Sequence, residues 1–157
     1  MQKKILWFMC GLPGSGKSTV IRRYFPTYQV IAADDYPDEL AFQIALIHEA
    51  QIKDSLVVDG CFIDREIRSQ AILNLINHSN EDVMYEINFC VLTSSIDECI
   101  LRNSTRANHS QIVTSEGILY KATKFTDPVT DNLPYSNIMY LDQYGNLIKI
   151  VQGEQFR

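Results

Sequence analysis

With 157 residues, of which 46% are hydrophobic and 21% charged, the chain reads as one soluble domain with a full core, and no apolar stretch approaches the roughly 20 residues of a membrane helix. The net charge of −5 excludes a protein that coats nucleic acid over its whole surface. The cysteines, Cys10, Cys61, Cys90 and Cys99, show no metal-ligand spacing, so a reducing, cytoplasmic setting is expected rather than a disulfide scaffold or a zinc site.

The first residues, Met1-Gln2-Lys3-Lys4 before six apolar ones, faintly resemble a secretory signal. That run is too short and leads into a glycine loop instead of a cleavage site, so Lys4–Cys10 is read as a buried strand. A helix over Lys17–Phe25 opens from the glycine loop, and a short strand over Tyr28–Ala33 ends on Asp34-Asp35. Asp38–Lys53 reads as a helix from the spacing of Leu40, Ala41, Ile44, Ala45, Ile47 and Ile52. Ser55–Asp59 is a third strand, and Asp64 is set to cap a helix over Asp64–Asn77. A fourth strand covers Met84–Leu92, and Ser95 caps a helix through about Arg106, with Asp97 and Glu98 favourable to its dipole. A helix near Gln111–Thr123 and a loop rich in Pro, Asp and Thr come next. Asn137–Leu141 and Asn146–Val151, joined by "DQYG", form a strand and its hairpin partner over about 136–152. Alternating strands and helices, with no linker or repeat, predict a single three-layer α/β domain over 1–157, its mostly parallel sheet covered on both faces.

The stretch "GLPGSGKST", residues 11–19, satisfies G-x-x-x-x-G-K-[ST] through Gly11, Gly16, Lys17 and Ser18. Gly11, Pro13, Gly14, Ser15, Gly16 and Thr19 are expected around the phosphates; the glycines let backbone N–H groups face phosphate oxygens, and the following helix aims its positive end at the same anion. Lys17 is expected on the β- and γ-phosphates and the Ser18 hydroxyl on Mg²⁺. This strand–loop–helix context predicts a P-loop NTPase fold that binds a nucleoside triphosphate.

Charge is unevenly spread. Residues 1–30 carry Lys3, Lys4, Lys17, Arg22 and Arg23 and no acid, whereas residues 31–66 carry nine acids against Lys53 and Arg65. Ligands of an open parallel sheet gather at the carboxyl ends of its strands, which puts Asp34 and Asp35 beside the γ-phosphate. One of them can take the proton of an attacking hydroxyl; the residues alone do not choose between them. Asp59, ending "LVVD", either holds a water of the metal or binds the acceptor. Arg102 and Arg106 lie four apart and share a helix face, forming with residues to about 115 a small arginine-bearing lid over the phosphates. Lys121 and Lys124 are further cations that a nucleic acid could follow.

Four segments, "GLPGSGKST", "ADDY" (Ala33–Tyr36), "LVVDGCF" (Leu56–Phe62) and "LRNSTR" (Leu101–Arg106), resemble in order and spacing the bacteriophage-type polynucleotide 5′-kinases, within the wider group of AAA-type small P-loop kinases. The resemblance spans about the first 110 residues. It implies an ATP- and Mg²⁺-dependent kinase acting on a polynucleotide 5′-hydroxyl, with Asp34 as general base and Lys17 and Ser18 on phosphates and metal. It further implies Arg106 on the transferring phosphate, Arg102 near the nucleotide, and Asp59 with Asp35 beside the acceptor. The chain departs from that family at Pro37, where the family has an arginine on the acceptor's phosphate; proline carries neither charge nor donor. The alternatives are a small-molecule kinase, for a nucleoside, sugar or nucleotide-sugar, and a nucleotide-binding accessory ATPase without an acceptor.

Overall fold

In the computed structural model, which describes residues 2–105 and 113–153, the apolar runs become strands β1 (Gln2–Cys10), β2 (Gln29–Ala32), β3 (Ser55–Asp59), β4 (Val83–Leu92), β5 (Asn137–Leu141) and β6 (Leu147–Gln152). They form one sheet in the order β2–β3–β1–β4–β5–β6. β1 to β5 pair in parallel, and β6 closes the edge antiparallel to β5. Strands β1 and β4 are near-continuous apolar runs because both of their faces are covered, as central parallel strands require.

Among the described residues five α-helices cover the sheet: α1 (Lys17–Tyr24), α2 (Glu39–Ile52), α3 (Arg65–His78), α4 (Ile96–Ser104) and α5 (Ser115–Lys124). Alternation along β1 decides who meets whom. Leu6 and Phe8 point to one side, where they join Val58 and Phe89 under Phe42 and Leu46 of α2 and Ile72 and Leu75 of α3. Met9 points the other way and packs with Val57 and Cys90 against Val20, Ile21 and Phe25 of and just after α1. Burying each such side chain contributes about 1.5–3 kcal/mol. A smaller cluster of Leu12, Ile63, Cys99 and Ile118 seats α4 and α5 beside the glycine loop. No helix among the described residues is long and apolar enough to cross a membrane.

The three-layer α/β architecture is the one the alternation of elements predicts. The caps also follow the sequence: Asp64 accepts from the Ile67 amide at 2.8 Å and Ser95 from the Glu98 amide at 3.1 Å. Three expectations are corrected. The stripe assigned to α2 mixes two faces: Phe42, Leu46 and Ala50, four apart, are buried, whereas Leu40 and Ile44 stand 71% and 60% exposed. β2 ends at Ala32, one residue earlier than expected, and the aspartate pair lies in the 3₁₀ turn Ala33–Asp35 that follows it. α5 starts at Ser115, capped by Thr114, later than the spacing suggested. The expected parts of α4, α5 and the lid that fall on residues 106–112, Arg106 and Gln111 included, lie outside the described residues.

One buried ion pair locks the sheet's active edge. Arg68 of α3 is fully buried and grips the equally buried Asp131 bidentately, at 2.6 and 2.7 Å. Its remaining donors go to the Phe62 carbonyl at 2.9 Å and the Thr126 hydroxyl at 2.8 Å. Burial is the largest influence and opposes the Arg68 charge, but the bond to Asp131 and the charges of Cys10, Asp131 and Asp64 together outweigh it and hold the pKa above its usual value. Truncating Asp131 leaves that guanidinium buried without its carboxylate, so Asp131→Ala is expected to cost about 3–5 kcal/mol, read as a fall in the urea midpoint. A loss under about 1 kcal/mol would show that the pair is dispensable.

Candidate active site

The glycine loop connects β1 to α1, at the point where successive strands go to opposite sides of β1: β3 to one flank and β4 to the other. Crevices for ligands open at such switch points. Gly14 (φ 81°) and Gly16 (φ 97°) adopt left-handed backbone, which favours glycine. At Gly14 there is a second constraint, because a Cβ there would lie 2.3 Å from the Cys99 carbonyl oxygen of α4. The loop therefore runs against α4 with no room for a side chain.

Lys17 leaves the first turn of α1 and its Nζ donates to the Gly11 and Leu12 carbonyls, each at 3.0 Å, so the ammonium arches over the loop. Ser18 and Thr19, next on the helix, are exposed. Ser15 is buried, and its hydroxyl has no partner among the described residues. The Ser15 carbonyl accepts from Ser94 Oγ at 2.9 Å and from Arg102 Nη1 at 3.1 Å. Arg102 also donates from Nε to Glu98 one turn earlier, at 3.0 Å, and from Nη2 to the Gln143 carbonyl in the β5–β6 turn. The arginine expected near the nucleotide thus braces the loop itself.

A cleft of about 1120 Å³ starts at Gly14, Gly16, Lys17, Ser18 and Thr19 and passes along the turn after β2. Asp34, Asp35 and Asp59 all line it, with Arg102. The structure therefore brings together the loop, both members of the aspartate pair and the acid at the end of β3. It does not separate Asp34 from Asp35, since both are exposed and both line the cleft. Arg106 lies outside the described residues, as do His109 and Ser110.

The residues present fit a triphosphate and a magnesium ion. Two left-handed glycines and the Lys17 ammonium provide for phosphate oxygens, and the orphaned Ser15 hydroxyl is a buried group that lacks a bond. Among the described residues no group of three or more His, Cys, Asp or Glu side chains makes a metal cage. Magnesium needs none, because it retains waters and takes one or two protein oxygens plus phosphates. Ser18, Asp34 and Asp59 supply oxygen donors in the one cleft.

Sequence reading missed much of the far wall. Glu39 and Gln43 of α2 and Glu66 and Gln70 of α3 also line the cleft, over a floor that includes Phe42 and Phe62. The i, i+4 spacing of each Glu–Gln pair was a visible signal, but nothing in the sequence says that the two helices face each other across a cavity. Lys121 of α5 lines the cleft as well, its Nζ 3.8 Å from Cys61 Sγ. Loop 60–62 is held in place from behind by Arg68 on the Phe62 carbonyl.

Comparison with known proteins follows this geometry. A family model described as an AAA domain matches residues 6–45, from β1 through the glycine loop, α1 and β2 into α2. No curated protein matches the sequence. In fold the chain is similar to a fungal RNA kinase, with a TM-score of 0.69 at 14% identity over 95% of this chain. It spans only 40% of that kinase. It is similar to a structure from the PezAT chromosomal toxin–antitoxin system of Streptococcus pneumoniae, with a TM-score of 0.67 at 12% identity, covering 96% of this chain and 72% of that one. A gluconokinase from Sinorhizobium meliloti 1021 gives 0.57 at 17% identity, over 90% and 82% of the two chains. The fold is that of the P-loop NTPases.

The thiols give a direct check on this arrangement. Burial pushes Cys10 up to about 12 and raises Cys90 and Cys99 as well, whereas Cys61 is partly exposed in the cleft. Since the thiolate is the reactive form, an aromatic disulfide reagent is expected to titrate one thiol quickly in the native protein. Cys61→Ser should abolish the fast phase. A fast phase that survives the substitution would contradict the packing described for the other three.

Proposed function

We propose that the chain is an ATP-dependent phosphotransferase that moves the γ-phosphate to a hydroxyl. One observation carries this reading: a single cleft joins the phosphate loop to the Asp34–Asp35 turn, so donor and base face the same space. The kinase folds that the chain is similar to support the same reaction class.

In this reading the loop amides and Lys17 bind the β- and γ-phosphates, and Arg102 keeps the loop in shape through the Ser15 carbonyl. Magnesium, when bound, would neutralise phosphate charge, with Ser18 as its protein ligand. Asp34 accepts the proton of the acceptor hydroxyl while that oxygen bonds to the γ-phosphorus. The bond from the γ-phosphorus to the β–γ bridging oxygen breaks, and ADP leaves with that electron pair. Asp35 and Asp59 hold the acceptor. Arg106, by resemblance, stabilises the transferring phosphate. The resemblance of the four motifs supports a polynucleotide 5′-hydroxyl as the acceptor; Pro37 and the carboxylates of the far wall favour a smaller one.

Lys17→Ala is expected to abolish use of Mg²⁺·ATP. Asp34→Asn should leave ATP affinity within about twofold while lowering acceptor phosphorylation by about 10²-fold or more. The readouts are calorimetric ATP binding and release of labelled ADP. Native turnover in Asp34→Asn would assign the base elsewhere, with Asp35 next to test. Arg106→Ala should lower turnover by about 10²–10³-fold at nearly constant ATP affinity. Unchanged turnover would remove Arg106 from the site. An accessory ATPase would instead turn over equally with and without any acceptor.

A further inference from the structure

The cleft has two electrostatic halves. At the loop end stand Lys17 and Arg102. The walls from the turn after β2, α2, the end of β3 and α3 contribute Asp34, Asp35, Glu39, Asp59 and Glu66, and among the described residues no cation. Among the described residues that line the cleft, the one further cation is Lys121, on α5 beside Cys61. A bound triphosphate occupies the cations at the loop end, so an acceptor entering the other half meets five carboxylates and one ammonium.

An independent feature of the same wall is its chain of amides. Gln43 Nε2 donates to Glu39 Oε1 at 2.8 Å, Asn74 Nδ2 to Gln43 Oε1 at 3.4 Å, and Gln70 Nε2 to Asn74 Oδ1 at 3.0 Å. The Asn74–Gln43 bond crosses from α3 to α2 and links the two intrahelical pairs, while Glu39, Gln43 and Gln70 line the cleft. A surface of oriented carboxylates and amides is suited to several hydroxyl or ammonium donors. It repels phosphates. Pro37, next to the aspartate-bearing turn, adds no charge that could offset this repulsion. The whole cleft, loop end included, measures about 1120 Å³, just above the roughly 300–1,000 Å³ common for small-molecule sites, so the half left to an acceptor is of small-molecule size.

We infer that the phosphoryl acceptor is a small polyhydroxyl compound, uncharged or positively charged, and not the end of a nucleic acid. The inference rests on the kinase reading of the cleft. Glu39 and Glu66 are specificity-determining residues under it, excluding polyanions.

The test offers γ-labelled ATP and Mg²⁺ to two acceptor sets. One is a set of hexoses, hexosamines, pentitols, nucleosides and an aminoglycoside; the other is 5′-hydroxyl DNA and RNA oligonucleotides. A member of the small set is expected to take label with kcat/KM at least about tenfold above any oligonucleotide, and added salt should change an uncharged acceptor's value by less than about twofold. Glu39→Lys and Glu66→Lys should each lower that value and raise the oligonucleotide's by several-fold; Glu39→Gln and Glu66→Gln, milder changes on exposed positions, should move both in the same directions. Oligonucleotide labelling that equals or exceeds the small set, falling steeply with salt, would overturn the inference. So would label on neither set while calorimetry shows ATP bound with magnesium. Failure to bind ATP would instead sink the kinase reading itself.

Discussion

Everything at the working edge depends on β1 lying between β3 and β4, in parallel register with both. That pairing aligns the carboxyl ends of three strands, so the glycine loop, Asp59 and the segment leading to α4 emerge side by side. It also forces the crossover that opens a crevice, because the chain must go to one flank of β1 and later to the other. The close approach of Gly14 to the Cys99 carbonyl is a consequence. The loop is pinned between its own strand and a helix that arrives some eighty residues later, and only glycine fits that gap.

Much of this was legible in the chain because the signals were local. Apolar runs of strand length, the Asp64 and Ser95 caps and the glycine loop each depend on neighbours within a few residues, and each corresponds to an element of the structure. Failures occurred where the deciding partner was distant. The face of α2 could not be chosen from its own residues, since both Leu40–Ile44 and Phe42–Leu46–Ala50 have helical spacing. The sheet, through Phe8 and Phe62, selects the latter. Arg68 and Asp131, sixty-three residues apart, leave no trace in local pattern, although they decide where loop 60–62 sits. In the site, the phosphate end was readable as a motif. The opposing wall was not, because it is built from two helix faces that only tertiary packing brings together.

On the proposed kinase reading, charge also explains how one cleft would take two kinds of molecule. The loop end attracts anions by ammonium, amide dipoles and a helix terminus, all fixed by the backbone. The other end is lined by carboxylates, of which Asp34, Asp35, Glu39 and Glu66 are exposed, where ionised side chains need no buried partner. Such a gradient orients a reaction pair by exclusion as well as by attraction. In the proposed kinase the phosphates of the donor would be held away from the carboxylate wall, and an uncharged or cationic acceptor would not compete for the loop end.

The Arg102 bridge has a consequence for the far edge of the molecule. Strand β6 exposes Leu147, Ile148 and Ile150, each at about half of its surface or more, so its packing alone holds it weakly. Its turn is tied down by Arg102 on the Gln143 carbonyl and by Arg23 and Tyr24 on the Gly145 carbonyl. Arg102 at the same time holds the Ser15 carbonyl within the phosphate loop. Whatever stiffens that loop thus adds to the free energy of peeling β6 away, and a frayed β6 loosens the loop in return. By thermodynamic reciprocity, amide exchange along the last strand becomes a remote gauge of occupancy at the first turn of α1.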